Sequence, residues 1–261
     1  MMALEGPHLI GEALATGLAP RAIFLCHDGE GSEPHAAAAL LAATLGAQVQ
    51  DTPNLLADTE ILTLPQALFR NLVGTETPQP IAALVSTPQA ALEDMFTSGS
   101  PLLPAPLLLV LCGLQDPGNV GTLLRSALAF GATGAVLLTG TASPWSGKAL
   151  RASAGAALRL PLLAMRDPAQ LAQQLRGHAI RSYAAVPTGG LPVSEHRLSE
   201  PSALWIGNEG SGLSPAELAA CDARITLSMA GASESLNAAV AGSLLLYEAT
   251  RQRTAEASKQ V

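Results

Sequence analysis

The stretch LQDPGNVGTLLRSA, residues 114–127, follows the apolar run LLLVLC of residues 107–112 and reads as a loop that leaves a buried strand and opens a helix near Asn119. A short aliphatic run bounded by turn residues has the length of a strand inside a parallel sheet covered on both faces. The first N–H groups of the following helix lack intrahelical partners, so they favour an anion. Arg125 falls about one and a half turns along that helix, where its guanidinium could face whatever sits at the strand end. Read alone, the stretch is equally a helix in which Asn119 is only an N-cap and Arg125 only a solvated charge.

Two further stretches have the same strand–loop–helix form. In LWIGNEGSGLS, residues 204–214, Gly207, Gly210 and Gly212 allow close approach to a ligand or positive φ values, with a helix starting near Ser214. The chain contains neither Gly-x-Gly-x-x-Gly nor Gly-x-x-x-x-Gly-Lys, so the usual nucleotide fingerprints do not apply. Glu209 in this loop reads as a functional carboxylate or as a helix-dipole partner. In ITLSMAGASESLNAAV, residues 225–240, Ser233 or Ser235 could cap the last helix, and Asn237 either caps locally or holds something by its amide. Three such loops at the C-terminal edge of one sheet make a single cleft, the expected ligand site of an open α/β fold.

Working outward, apolar strands are expected at residues 107–112, 135–138, 179–186, 203–206 and 225–227, mostly separated by helices, which gives a parallel α/β sheet. The chain closes on a helix over residues 235–253 with Leu236, Ala239, Val240, Leu244 and Tyr247 on one face, and its end should fray after Thr254. Upstream, TSGSPLLPAP at residues 97–106 reads as a linker, dividing the chain into domains 1–98 and 106–254. The first domain is expected as a small α/β sandwich, with helices at 7–18, 34–46 and 64–72 and strands at 21–26, 47–50 and 81–86.

Composition narrows the function. The 261 residues are 48% apolar and 13% charged, ample for packed cores, while 3% aromatics argue against base-stacking platforms. No apolar run approaches the roughly 20 residues of a membrane span, and residues 1–10 lack a basic start, so the expected location is the cytoplasm. Cys26, Cys112 and Cys221 stand far apart with no histidine at ligand spacing, so no metal site is expected. Residues 1–100 carry 2 Lys/Arg against 11 Asp/Glu, a net of −9, whereas residues 101–261 carry 12 against 10, a net of +2. A polyanion should meet the second half first.

The segments LQDPGNVGTLLRSALAFGA, LWIGNEGSGLS and ITLSMAGASESLNAAVAGSLLLYE resemble, in order and spacing, the three motifs of the SpoU/TrmH family of RNA 2'-O-ribose methyltransferases in the SPOUT superfamily. The resemblance implies an α/β domain with a trefoil knot, which periodicity does not reveal. It further implies S-adenosylmethionine held by backbone groups near Gly207, Leu227 and Leu236, a homodimer, and no metal. Matched position by position, Asn119 and Arg125 are the polar pair of the first motif, Glu209 the acid of the second, and Ser235 and Asn237 the polar residues of the third. These five are the implied catalytic set. The family's arginine is the proposed activator of the ribose hydroxyl; a guanidinium does not readily accept a proton, which favours orientation of the 2'-oxygen or a neighbouring phosphate.

The segment EGPHLIGEALATGLAPRAIFL resembles, less specifically, the start of the L30e-like α/β/α domain that binds RNA in many members. Those members commonly begin with a basic stretch and a strand, whereas here Glu5-Gly6 comes almost at once. RNA should therefore be held mainly by Arg125, Lys148, Arg151 and Arg159, with a shallow salt dependence. The implied substrate is ribosomal RNA, with transfer RNA and a non-catalytic RNA-binding role as alternatives. A nucleotide-dependent oxidoreductase is disfavoured by the missing fingerprint.

Overall fold

The aliphatic runs of the second half do become strands, and the seven-stranded sheet they form organises the molecule. The computed structural model describes residues 1–27, 41, 45–46, 53–73, 77–97, 105–231 and 235–258. The large sheet comprises β5 (Leu107–Leu111), β6 (Gly134–Leu138), β7 (Leu162–Met165), β8 (Arg181–Ala185), β9 (Leu191–Pro192), β10 (Ser202–Ile206) and β11 (Ala223–Thr226). Their order is β7-β6-β5-β10-β8-β11-β9, and every pairing is parallel. Every residue of β5, β6 and β10 is buried, as a sheet covered on both faces requires. The strands β7 and β9 were not expected. The first is four residues after a proline and the second only two, too short to carry a periodic signal.

A smaller sheet precedes it, built from β1 (Met2–Glu5), β2 (Pro20–His27), β3 (Glu60–Pro65) and β4 (Ile81–Val85) in the order β1-β4-β2-β3. Between these strands lie α1 (Pro7–Ala15) and α2 (Gln66–Leu72). The sequence reading extended α2 back to residue 64, but residues 60–65 pair with β2 in parallel as a strand. Pro65, which has no N–H to give a helix, marks the change. The near-immediate Glu5-Gly6 also does not cost the chain its first strand. Met2–Glu5 pairs antiparallel with β4 and buries Met2 and Leu4. Of the expected helix over 34–46 only Leu41, Leu45 and Gly46 are described, and the expected strand over 47–50 lies outside the described residues.

The helices of the second half are α3 (Pro117–Ala129), α4 (Gly147–Ser153), α5 (Ala156–Arg159), α6 (Pro168–Gly177), α7 (Pro215–Ala220) and α8 (Ala238–Ala257). One hydrophobic cluster runs without a break from Leu4, Ile10 and Leu14 to Leu150, Leu158 and the inner face of α8, so the two sheets share a core. Polar links cross the same boundary. Glu12 pairs with Arg159 at 2.6 Å, Glu5 with Arg151 at 3.9 Å, and the Thr133 hydroxyl donates to the Met95 carbonyl at 2.6 Å.

The last helix differs from its expected form at both ends and on its surface. It starts at Ala238 and continues past Thr254 to Ala257. Its buried side is Ala239, Gly242, Leu245, Leu246, Ala249 and Arg253, while Val240, Leu244 and Tyr247 are 48%, 44% and 52% exposed. The helix is thus apolar on two faces.

Near its end, the Arg253 guanidinium, 5% exposed, donates to the carbonyls of Leu198, Ala105, Pro106 and Glu200. Burial pulls its pKa down to about 10, still charged at neutral pH. Arg253→Met keeps the length and removes the donors. The Pro106 and Glu200 carbonyls keep hydrogen bonds from Ser202, whereas those of Leu198 and Ala105 lose their partner at about 1–3 kcal/mol each, so denaturant unfolding should show a loss of about 3 kcal/mol. Unchanged stability would mean that water replaces the guanidinium without penalty.

Candidate active site

Because the large sheet is parallel, the loops after β5, β10 and β11 emerge at one edge, and β5 and β10 are neighbours. The loop after β5 enters α3 through Asp116-Pro117. Asp116 is the N-cap, its carboxylate accepting from Gly118 N at 3.0 Å, and Pro117 is the first helical residue. Asn119 is therefore not the cap, and its amide is released for other work. Its Nδ2 donates to Glu209 Oε1 at 2.9 Å, and its Oδ1 accepts from Asn237 Nδ2 at 3.3 Å. One asparagine thus joins all three loops.

Asn237 serves twice. Its Oδ1 caps α8 by accepting from Ala239 N at 2.9 Å and Val240 N at 3.3 Å, while its Nδ2 reaches Asn119. Both readings left open for it hold together, and the capping expected of Ser235 falls to Asn237 instead; Ser233 lies outside the described residues. Glu209 is not the dipole partner of α7, which is closed by Ser214 and Glu217 in a reciprocal capping box; its carboxylate faces the N-terminal end of α3 instead. Burial works to raise the Glu209 pKa. The Asn119 amide and backbone N–H groups, including those of Gln115 and Asp116, outweigh it and hold the carboxyl below the usual range. At neutral pH Glu209 is an acceptor with no proton to give.

Beside this network lies a cavity of about 330 Å³ whose walls include Ile206, Ile225, Leu227, Leu236 and Leu245, with Gly207 and Gly212 in its rim. Gly207, Leu227 and Leu236 line one cavity, which Glu209 and Ser235 also line. Arg125 does not line it. It stands exposed on α3 with no ion pair or hydrogen bond among the described residues. Burial pushes the Cys112 thiol up and the Cys221 thiol to about 12, which keeps both protonated at neutral pH.

Several organising residues escaped the sequence reading. The Asn208 Oδ1 accepts from Gly210 N and Ser211 N at 2.9 and 3.0 Å, and its Nδ2 donates to the Gly113 carbonyl at 2.8 Å. An asparagine two residues ahead of a glycine is the signal for this Asx turn. Gly121 lets α3 and α4 touch, since a Cβ there would stand 2.7 Å from Ala152 Cβ. Of the four cations expected to grip RNA, three have acidic partners: Lys148 with Asp116 at 2.6 Å, Arg151 with Glu5 and Arg159 with Glu12. Arg125 is the one member of the set without an acidic partner among the described residues.

Fold and site together define an α/β protein whose ligand cleft lies where the strand order of a parallel sheet reverses. The sequence profile described as "SpoU rRNA Methylase family" matches residues 106–247. The 23S rRNA (guanosine(2553)-2'-O)-methyltransferase RlmP of Bacillus subtilis is 35% identical over 184 residues, covering 70% of this chain and 70% of that protein. The 23S rRNA (uridine(2479)-2'-O)-methyltransferase of Streptomyces viridochromogenes is 32% identical over 199 residues, 74% of this chain and 68% of the other. Among solved structures, the SpoU methyltransferase AviRb from Streptomyces viridochromogenes in complex with the cofactor AdoMet superposes with a TM-score of 0.79 at 27% identity, covering 96% of this chain and 89% of that one. The chain belongs to the SpoU rRNA methylase family.

Proposed function

We propose that the protein methylates a ribose 2'-hydroxyl of ribosomal RNA, using S-adenosylmethionine held in the cavity bounded by Gly207, Leu227 and Leu236. The observation that carries this reading is the Asn119 amide, which ties the three motif loops together at the mouth of that cavity. The cavity fits the cofactor in kind: apolar side walls for a flat base, and glycine-rich backbone for polar groups to approach closely. When bound, S-adenosylmethionine supplies a methyl group on a positively charged sulfur.

The chain's own residues position the nucleophile. Arg125 orients the 2'-oxygen or the adjacent phosphate by charged hydrogen bonds and does not take up the proton. Asn119, Glu209 and Asn237 fix α3 against the cofactor loops, so the arginine and the cavity keep one geometry. Ser235 sits at the cavity wall, where it meets the cofactor or the ribose.

Residues 1–98 and 106–254 act as an L30e-like substrate domain and a methyltransferase domain, a division supported by the two separate sheets. The trefoil knot belongs to the same proposal, supported by the return of β10 between β5 and β8. So does a homodimer. Leu236, Val240, Leu244 and Tyr247 form an exposed apolar stripe, and Leu236 continues it into the cavity wall. The compartment is that of the substrate, the cytoplasm; no helix among the described residues is long and apolar enough to cross a membrane.

The test is transfer of labelled methyl groups to ribosomal RNA from cells lacking this gene, followed by mapping of 2'-O-methyl positions. Label at one ribose of ribosomal RNA is expected. Label on a base or confined to transfer RNA overturns the assignment, and RNA binding without transfer marks a non-catalytic protein.

A further inference from the structure

The same sheet edge carries a second concavity, of about 550 Å³, beyond β6 and β7. Its lining includes Gln89, Thr139, Ser143, Trp145, Met165 and Arg166. It adjoins the site, because the loop after β6 is tied to the loop that enters α3. Gly113 N donates to Thr141 Oγ1 at 3.0 Å and Ala142 N to the Leu114 carbonyl at 2.7 Å. The cavity at β10 and β11, the Asn119 network at β5 and this groove at β6 and β7 therefore follow one another along one rim.

Two features indicate what the groove takes. Trp145 is half-buried and stands on the ridge between this groove and a cleft of about 480 Å³ facing the smaller sheet. The chain's other tryptophan, Trp205, is fully buried in β10, so Trp145 alone offers an indole surface to a ligand. Arg166 is exposed and has no ion pair or hydrogen bond among the described residues, in contrast to the paired Lys148, Arg151 and Arg159. A partly exposed ring, short polar side chains and one unengaged guanidinium are the complement of an unstacked nucleotide.

Resting on the methyltransferase reading above, we propose that this groove holds an unpaired nucleotide of the RNA substrate next to the methylated one. Its base stacks on Trp145 and its phosphate meets Arg166. The low aromatic content excludes a broad stacking platform, but one ring at the rim suffices to register a strand.

The experiment uses the full chain and a 23S rRNA transcript. Trp145→Ala should raise KM for RNA about tenfold, the scale of one base–ring stack. Its kcat and S-adenosylmethionine affinity should stay unchanged, and Trp145→Phe should restore most of the loss. Arg166→Gln should reduce the slope of log affinity against log salt by about 0.7. A purely structural role for Trp145 would move cofactor affinity and thermal stability together with KM, and that result overturns the proposal. If Trp145→Ala does not fold, fluorescence decides: an oligouridylate should quench the indole emission of the native protein and leave that of Trp145→Phe unchanged. Equal quenching in both, or an unaltered KM in Trp145→Ala, overturns the proposal while native methyl transfer leaves the parent reading standing. Absence of methyl transfer by the native protein instead overturns the parent reading.

Discussion

Arg125→Ala is expected to slow methyl transfer by about a hundredfold to a thousandfold while S-adenosylmethionine binds as before. The guanidinium is exposed on α3, has no acidic partner among the described residues, and is absent from the cavity wall. Its removal therefore leaves fold and cofactor site intact. On the proposed mechanism, what disappears is an oriented cation that meets an oxygen only once RNA closes over the site, an interaction that should be worth roughly 3–4 kcal/mol of barrier. Arg125→Lys should recover little, because an ammonium lacks the planar fork that grips two oxygens at once. Single-turnover transfer and calorimetry with the cofactor check the two halves separately. Near-normal turnover removes Arg125 from the chemistry; weakened cofactor binding places it in the cavity after all.

The second large effect is expected at Gly207. A Cβ there would stand 2.5 Å from Leu213 N and 2.7 Å from the Gly212 carbonyl oxygen. Those atoms are backbone, held by the paired bonds Asn208 N to Gly212 O and Gly212 N to Asn208 O, both 3.0 Å. The loop cannot give way cheaply, and Gly207→Val must open it. Overpacking of this kind costs about 1–3 kcal/mol, so cofactor affinity should fall by up to about a hundredfold, with β10 and the core intact. The sequence reading attributed this glycine to space the cofactor needs; the first collision is instead with the loop itself. Calorimetry with S-adenosylmethionine, alongside thermal unfolding, is the measurement. Native affinity in Gly207→Val would show that the loop shape is not what holds the ligand.

These two sites mark what could be read without coordinates. The strands β5, β6 and β10 were legible because a parallel sheet buried on both faces demands unbroken apolar runs, whereas β8 and β11, which carry Arg181, Ser182 and Arg224, showed only as shorter apolar stretches. The strands β1, β3, β7 and β9 were not legible. They are edge or terminal strands of two to six residues whose pairing comes from distant partners. The site followed the same divide. The motif loops gave its members, but whether Asn119 capped a helix or crossed to another loop depended on Glu209, 90 residues away. Likewise Arg151 and Arg159 read as free cations because Glu5 and Glu12, their partners, lie more than a hundred positions earlier. The exposed face of α8 also misled, since a helix apolar on two sides has no single stripe to mark its interior.

The carboxylates that meet Arg151 and Arg159 across the boundary between the sheets have an effect on the search for substrate. Each pairing removes a position where a phosphate could displace a counterion, and counterion release is what makes proteins cling to nucleic acid of any sequence. A protein so neutralised should gain little from random strands, and on the proposed reading its residence on RNA should depend on shape and on the contacts at the rim of the large sheet.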